Sequence, residues 1–293
     1  MRKMSLALGL SVGFALLMGR SVLAATPLPT FSTYTPQPDE FVSAIVMVPK
    51  THEVLYSFKP DLIHPTASLT KLPAALAFLS RNISTAKSIR LAAVDEVGGG
   101  RLRVSVGARM TVRDLVYSSI TASANNTATA LGRLSGLTKS AFLKRMNEEA
   151  RLAGAIHSKF VDFSGMDSGN VTTAHDMALI ADRAFSEPTI RRAATTAQYS
   201  FKVYEGTKTI NKTIKNTNDL LTKDPDVWVL GGKTGYLEEA KNNLAVRLRR
   251  LDSRGTPIAG TDVIVVVFGV TDKQQMFASA KRLANWSWEQ HAF

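Results

Sequence analysis

Thr66-Ala67-Ser68-Leu69-Thr70-Lys71-Leu72-Pro73-Ala74-Ala75-Leu76-Ala77-Phe78-Leu79 runs from a pair of hydroxyl residues into an apolar stretch. The pattern predicts a helix over 69–79 that is apolar on nearly every side and therefore buried. Ser68 opens this helix and Lys71 follows three residues later, so the amine shares a face with the hydroxyl. Such a pair suits a nucleophile and its base, and a helix N-terminus adds unpaired N–H groups for a developing oxyanion. A lysine titrating at about 10.4 is a poor base at neutral pH, so Lys71 needs burial or a neighbouring cation. The plainer reading makes Ser68 an N-cap and Lys71 a solvated side chain. Pro73 removes an N–H within the second turn and is expected to distort the helix. A second Ser-x-x-Lys, Ser84-Thr85-Ala86-Lys87, lies in a polar stretch, and that context favours Ser68.

Outward from this helix, residues 41–48 and 54–58 are β-rich runs around Pro49-Lys50-Thr51-His52, the pattern of a hairpin. Thr111 with Asp114 and Thr173 with Asp176 carry the hydroxyl-then-acid spacing of helix starts. A helix over 138–153 closes at Gly154, and Ser186-Glu187-Pro188 reads as another helix start. After residue 197 the pattern turns to strands at 199–204, 207–214, 227–230, 244–248 and 263–270, followed by a helix over 273–289. Strands at both ends of a helical middle predict an α+β fold, with an antiparallel sheet built from the two chain termini and an all-helical insertion. The α/β part is expected over 41–91 and 196–293, the helical part over 92–195. Trp286 and Trp288 are expected to pack against the sheet and its margin.

Two more places carry polar chemistry. Ser123-Ala124-Asn125, between helices expected at 114–120 and 126–134, presents a hydroxyl and an amide on one side of the backbone; it also fits a simple capping turn. Gly231-Gly232-Lys233-Thr234-Gly235 narrowly misses the phosphate-loop pattern, because Val227 stands where its first glycine belongs. A strand fits better. Lys233 and Thr234 then offer a cation and a hydroxyl to a carboxylate, and Gly235 lets a substrate backbone come close.

Composition removes other chemistries. The 293 residues include no cysteine, which excludes disulfides, thiolate metal sites and cysteine nucleophiles. The five histidines form no His-Glu-x-x-His helix, and the match to Gly-x-Ser-x-Gly, Gly9-Leu10-Ser11-Val12-Gly13, falls in the apolar N-terminal stretch and not after a strand, so no elbow nucleophile is read there and neither a metal nor an organic cofactor is expected. The 36 Lys and Arg against 24 Asp and Glu give +12. These cations are scattered, without the aromatic interleaving of a nucleic-acid reader, so no nucleic acid is expected as partner. Residues 1–24 read as an export signal: Arg2 and Lys3, an apolar stretch over 4–18, then Val22-Leu23-Ala24 before the cut. That apolar stretch falls short of the roughly 20 residues of a bilayer span, so cleavage without a retained membrane anchor is expected. Removing Arg2, Lys3 and Arg20 leaves 33 cations against 24 carboxylates, +9, a balance suited to anionic partners. Residues 25–40, with four prolines, read as an extended lead-in.

The order Ser68-x-x-Lys71, then Ser123-x-Asn125 55 residues later, then Lys233-Thr234-Gly235 a further 110 residues on, resembles that of the penicillin-recognising acyl-serine enzymes. Within them the chain is similar to the low-molecular-weight serine D-alanyl-D-alanine carboxypeptidases and endopeptidases, over about residues 41–288. The resemblance implies a β-lactamase/DD-peptidase-like fold, with the active site at the junction of its two parts. It also implies roles: Ser68 the acylated nucleophile, Lys71 its base, Ser123 a proton relay to the leaving amine, Asn125 a ligand of the substrate amide. Lys233 and Thr234 engage the terminal carboxylate, Lys233 helps keep Lys71 neutral, Gly235 admits the substrate backbone, and the N–H groups of Ser68 and Tyr236 form the oxyanion hole. The implied partners are peptidoglycan peptides, with β-lactam antibiotics as covalent inhibitors. The implied product is monomeric and periplasmic or secreted.

The chain also departs from that pattern. Asp162-Phe163 stands before Ser164-Gly165-Met166 where an Asn-Pro pair is frequent, and Lys241 stands where glycine is common. Both are expected to adjoin the cleft without touching a reacting group. No further module is expected after the last helix, which by analogy favours the endopeptidase-like subgroup. Two alternatives compete: a non-catalytic peptidoglycan-binding homologue, with Pro73 as the source of a defect, and a serine β-lactamase. Glu187 lies 62 residues after Asn125, too far for the class A arrangement of the latter.

Overall fold

The computed structural model describes residues 33–293; the expected export signal and residues 25–32 of the lead-in lie outside the described residues. The chain opens with β1 (Ser43–Met47), β2 (Val54–Phe58) and β3 (His64–Pro65), then a 3-10 turn over Ala67–Thr70 that leads into α1 (Lys71–Leu79). Next come β4 (Ser88–Arg90), β5 (Arg109–Thr111), α2 (Val112–Ile120), α3 (Asn125–Leu134), α4 (Lys139–Leu152) and β6 (Val171–Thr172). Then follow α5 (Ala174–Ser186), α6 (Pro188–Thr195), β7 (Gln198–Glu205), β8 (Lys208–Lys215) and the single turn α7 (Asp219–Thr222). The chain ends with β9 (Trp228–Leu237), β10 (Lys241–Arg249), β11 (Val263–Val270) and α8 (Lys273–Gln290).

The main sheet has the order β2-β1-β11-β10-β9, so the N-terminal hairpin joins the C-terminal strands, with β1 and β11 antiparallel and Ile45 opposite Val266. Alternation along β11 sends Ile264, Val266 and Phe268 into one core with α1 and α5. Val263, Val265 and Val267 enter a second core with α8, including Leu283 and Trp288. A strand covered on both faces reads as a continuous apolar run.

β7 and β8 carry less apolar surface and pair instead with β4 and β5 in a separate four-stranded sheet. β8 is exposed along most of its length, and a largely solvated ribbon does not fit inside a sheet buried on both sides. The expected helix starts are present: Thr111 Oγ1 accepts from the Asp114 N–H, Thr173 Oγ1 from the Asp176 N–H, and the Glu187 carboxylate from the Ile190 N–H. Trp288 is buried with its indole N–H on the Thr261 carbonyl, while Trp286 packs edge-on against Tyr34 and Tyr56.

Candidate active site

Ser68 lies inside the 3-10 turn rather than at the first residue of α1, which begins at Lys71. This registration removes the expected distortion at Pro73. As the third residue of the helix, its missing N–H is one that has no intrahelical acceptor in any case. The turn is fixed from outside: the Thr66 N–H donates to the Asn170 carbonyl, and Thr66 Oγ1 pairs with Thr70 Oγ1 at 2.7 Å. Ala67 is held at φ +47, a left-handed backbone that is uncommon for a residue with a Cβ.

Lys71 is fully buried. Its Nζ is 2.8 Å from Ser68 Oγ, 2.7 Å from Asn125 Oδ1 and 2.5 Å from the Ser164 carbonyl oxygen. Burial pushes the amine down to about 7, against an opposing pull from the Asp162 carboxylate. Ser123 sits between α2 and α3 at φ +58, and its Oγ accepts from Lys233 Nζ at 2.7 Å. Lys233 is buried too and also donates to the Thr234 carbonyl. Burial first, then the charge of Lys71, lowers its proton affinity.

β9 is an edge strand of the main sheet, so one side of it is open for an extended ligand to pair with. At Gly235 a Cβ would lie 3.0 Å from the Thr66 carbonyl and 3.1 Å from the Ser68 N–H. Glycine there lets the strand lie against the nucleophile's turn. Thr234 Oγ1 pairs with Thr217 Oγ1 at 2.6 Å. Tyr236 is 56% exposed on the rim, its hydroxyl donating to Glu238, which also accepts from Lys241. Ser68, Ser123, Asn125, Thr234, Gly235 and Tyr236 line one cleft of about 530 Å³, and Lys71 and Lys233 join it through their bonds to Ser68 and Ser123.

All eight residues singled out in the sequence thus converge. Asn125 differs in detail: Oδ1 is taken by Lys71 and Nδ2 donates to the Gly98 carbonyl, so its amide is engaged within the protein. Segment 162–167 plays a larger part than adjoining the cleft, because its Ser164 carbonyl holds Lys71. A backbone acceptor leaves no residue-type mark, although Asp162 followed by Ser164-Gly165 is a turn pattern. Lys241 stands at φ +52, a conformation that favours glycine. Ser84 and Lys87 are exposed, away from the cleft lining. Lys233-Thr234-Gly235 lies within β9, as the strand reading required.

The sequence model of the D-alanyl-D-alanine carboxypeptidase family matches residues 33–271. A D-alanyl-D-alanine endopeptidase of Pseudomonas aeruginosa is 30% identical over 271 residues, covering 91% of this chain and 83% of that protein. One from Escherichia coli is 29% identical over 287 residues, covering 96% and 86%. Among solved structures, the Streptomyces K15 DD-transpeptidase superposes with a TM-score of 0.77 at 25% identity, covering 88% of this chain and 99% of that one. With motif order, fold and family match in agreement along most of its length, the chain belongs to the D-alanyl-D-alanine carboxypeptidase family and is a serine-type DD-peptidase.

Proposed function

We propose that the enzyme hydrolyses D-alanyl peptide bonds of peptidoglycan through an ester on Ser68, with cross-links between stem peptides as its preferred substrate. The observation that carries the chemistry is the set of three contacts around Lys71 Nζ. Asn125 Oδ1 and the Ser164 carbonyl can only accept hydrogen bonds. They therefore take both hydrogens of a neutral amine and leave its lone pair for the Ser68 hydroxyl. Burial that lowers Lys71 to about 7 keeps much of it neutral at physiological pH.

Ser68 Oγ attacks the D-alanyl carbonyl as its proton passes to Lys71. The N–H groups of Ser68 and Tyr236 receive the oxyanion. Collapse expels the amine, which takes its proton by way of Ser123, whose hydroxyl is aimed by Lys233. Lys233 and Thr234 hold the carboxylate beside the leaving amine. Water then attacks the ester, and Ser68 recovers its proton. The free edge of β9 lets the stem peptide align as an added strand. β-Lactams enter the same path and stop at the ester.

The preference for cross-links rests on the two relatives named as endopeptidases, at 30% and 29% identity. Residues 1–24 read as an export signal whose removal releases a monomer into the cell envelope; among the described residues no helix is long and apolar enough to cross a membrane. The test is incubation with monomeric and cross-linked muropeptides, with products identified by mass. Dimers should fall to monomers, and Ser68→Ala should abolish both this and labelling by a fluorescent penicillin. Loss of terminal D-alanine with intact cross-links would reassign the enzyme as a carboxypeptidase. Absence of any covalent penicillin adduct on the wild type would remove the acyl-enzyme reading.

A further inference from the structure

The turn at 162–167 is built around one side chain. Asp162 Oδ1 accepts the N–H groups of Ser164 and Gly165 at 2.8 and 2.6 Å, and Oδ2 accepts that of Asp167 at 2.8 Å. These bonds fold the backbone so that the Ser164 carbonyl points at Lys71 Nζ. The same fold presses Gly165, at φ +84, onto the nucleophile's turn: a Cβ there would lie 1.9 Å from the Ala67 carbonyl oxygen. One carboxylate therefore organises a segment that touches both the base and the turn carrying Ser68. The side chains of Val161, Asp162 and Phe163 are themselves only half-buried, so burial alone does not explain a carboxylate with three backbone donors.

We propose that Asp162 is the positioning residue for the base: it holds the Ser164 carbonyl against Lys71 Nζ and sets a negative charge near that amine. The inference rests on the reading of Ser68 and Lys71 as the reacting pair. Without the Ser164 acceptor, a neutral amine has one fixed hydrogen instead of two, and its lone pair is free to swing away from Ser68. The charged groups around Lys71 are few. β9 contributes Lys233, the turn contributes Asp162, and α3 contributes the neutral Asn125. Asp167, on the same turn, is exposed and caps the Gly169 N–H. Asp162 raises the proton affinity of Lys71 while burial lowers it. Removing the carboxylate should therefore lower it further, since less work is then needed to leave the amine neutral.

The experiment measures the second-order rate of Ser68 acylation by a fluorescent penicillin between pH 5 and 9, on full-length wild type, Asp162→Asn and Asp162→Glu. Asparagine keeps the acceptor for Ser164 and Gly165 but loses the charge and the acceptor for the Asp167 N–H. Its acid limb should move to lower pH by about 0.5–1 unit, with the plateau down about three- to tenfold. Glutamate keeps the charge on a longer stem, so its acid limb should stay at the wild-type position while the plateau falls by about tenfold or more. A purely structural Asp162 would lower both plateaus and move neither limb; that outcome overturns the proposal, as does an Asp162→Asn profile identical to the wild type. If Asp162→Asn does not fold, Asp162→Ser, which closes the same turn with a neutral hydroxyl, is read against the same two outcomes. A wild type that forms no adduct defeats the proposed function itself, whereas a reactive wild type with unmoved limbs defeats only this inference.

Discussion

Lys233 Nζ donates to Ser123 Oγ across 2.7 Å, although 110 residues separate them. Ser123 is held at φ +58, a backbone that costs a non-glycine residue on the order of 1–3 kcal/mol. The strained loop brings the hydroxyl to the cleft and the buried Lys233 amine fixes its direction. Neither residue is placed by its own neighbours in sequence.

Ser123→Ala and Lys233→Ala should each slow penicillin acylation by about 10²–10⁴-fold, the usual range for losing a proton-transfer partner. Because they act through one hydrogen bond, the double variant should be far less impaired than the product of the two single losses. Simple multiplication of the effects, read from a double-mutant cycle, would show that the contact carries no shared role.

The pH dependence follows from burial of Lys71. The amine works as a base only when neutral, and with its titration lowered to about 7 the acylation rate should rise about tenfold per pH unit below that value and level off above it. The sign is fixed: a lysine titrating near its usual 10.4 would instead leave the rate still climbing at pH 9. A stopped-flow pH profile distinguishes the two.

Gly165→Ala should be severe. Its φ of +84 disfavours any Cβ, and the added methyl would sit 1.9 Å from the Ala67 oxygen and 2.4 Å from the Ala67 carbonyl carbon. We expect at least about 3 kcal/mol of destabilisation, a drop of roughly 6–12 °C in the unfolding midpoint for a protein of this size, with penicillin labelling lost in parallel. A midpoint within about 2 °C of wild type would mean that the turn yields without cost.

The basic balance of the chain, +12 in full, should show in envelope binding. Association with isolated sacculi should weaken as ionic strength rises, since exposed charges are screened beyond about 8 Å at 0.15 M salt. Salt-insensitive co-sedimentation would assign binding to the cleft and not to the surface field.

What the sequence determined by itself were the features whose physics is local. Hydroxyl-then-acid spacing announced the starts of α2 and α5, the apolar run 263–270 announced a buried strand, and three-residue spacing placed Lys71 beside Ser68. Motif order added Ser123, Asn125 and Lys233, because their side chains are recognisable types. Tertiary structure alone decided the rest. The register of α1 after a 3-10 turn, which makes Pro73 harmless, depends on Asn170 and Gly165 pressing on that turn from about 100 residues away. The pairing of β7 and β8 with β4 and β5 was settled by which ribbons had two apolar faces to bury. Asp162 ahead of Ser164-Gly165 marks a turn, but not that the Ser164 carbonyl meets Lys71, since every residue carries a carbonyl and only the folded turn says which one points at an amine. A lysine becomes a base when its surroundings exclude water and supply acceptors, and those surroundings exist only after distant segments have packed together.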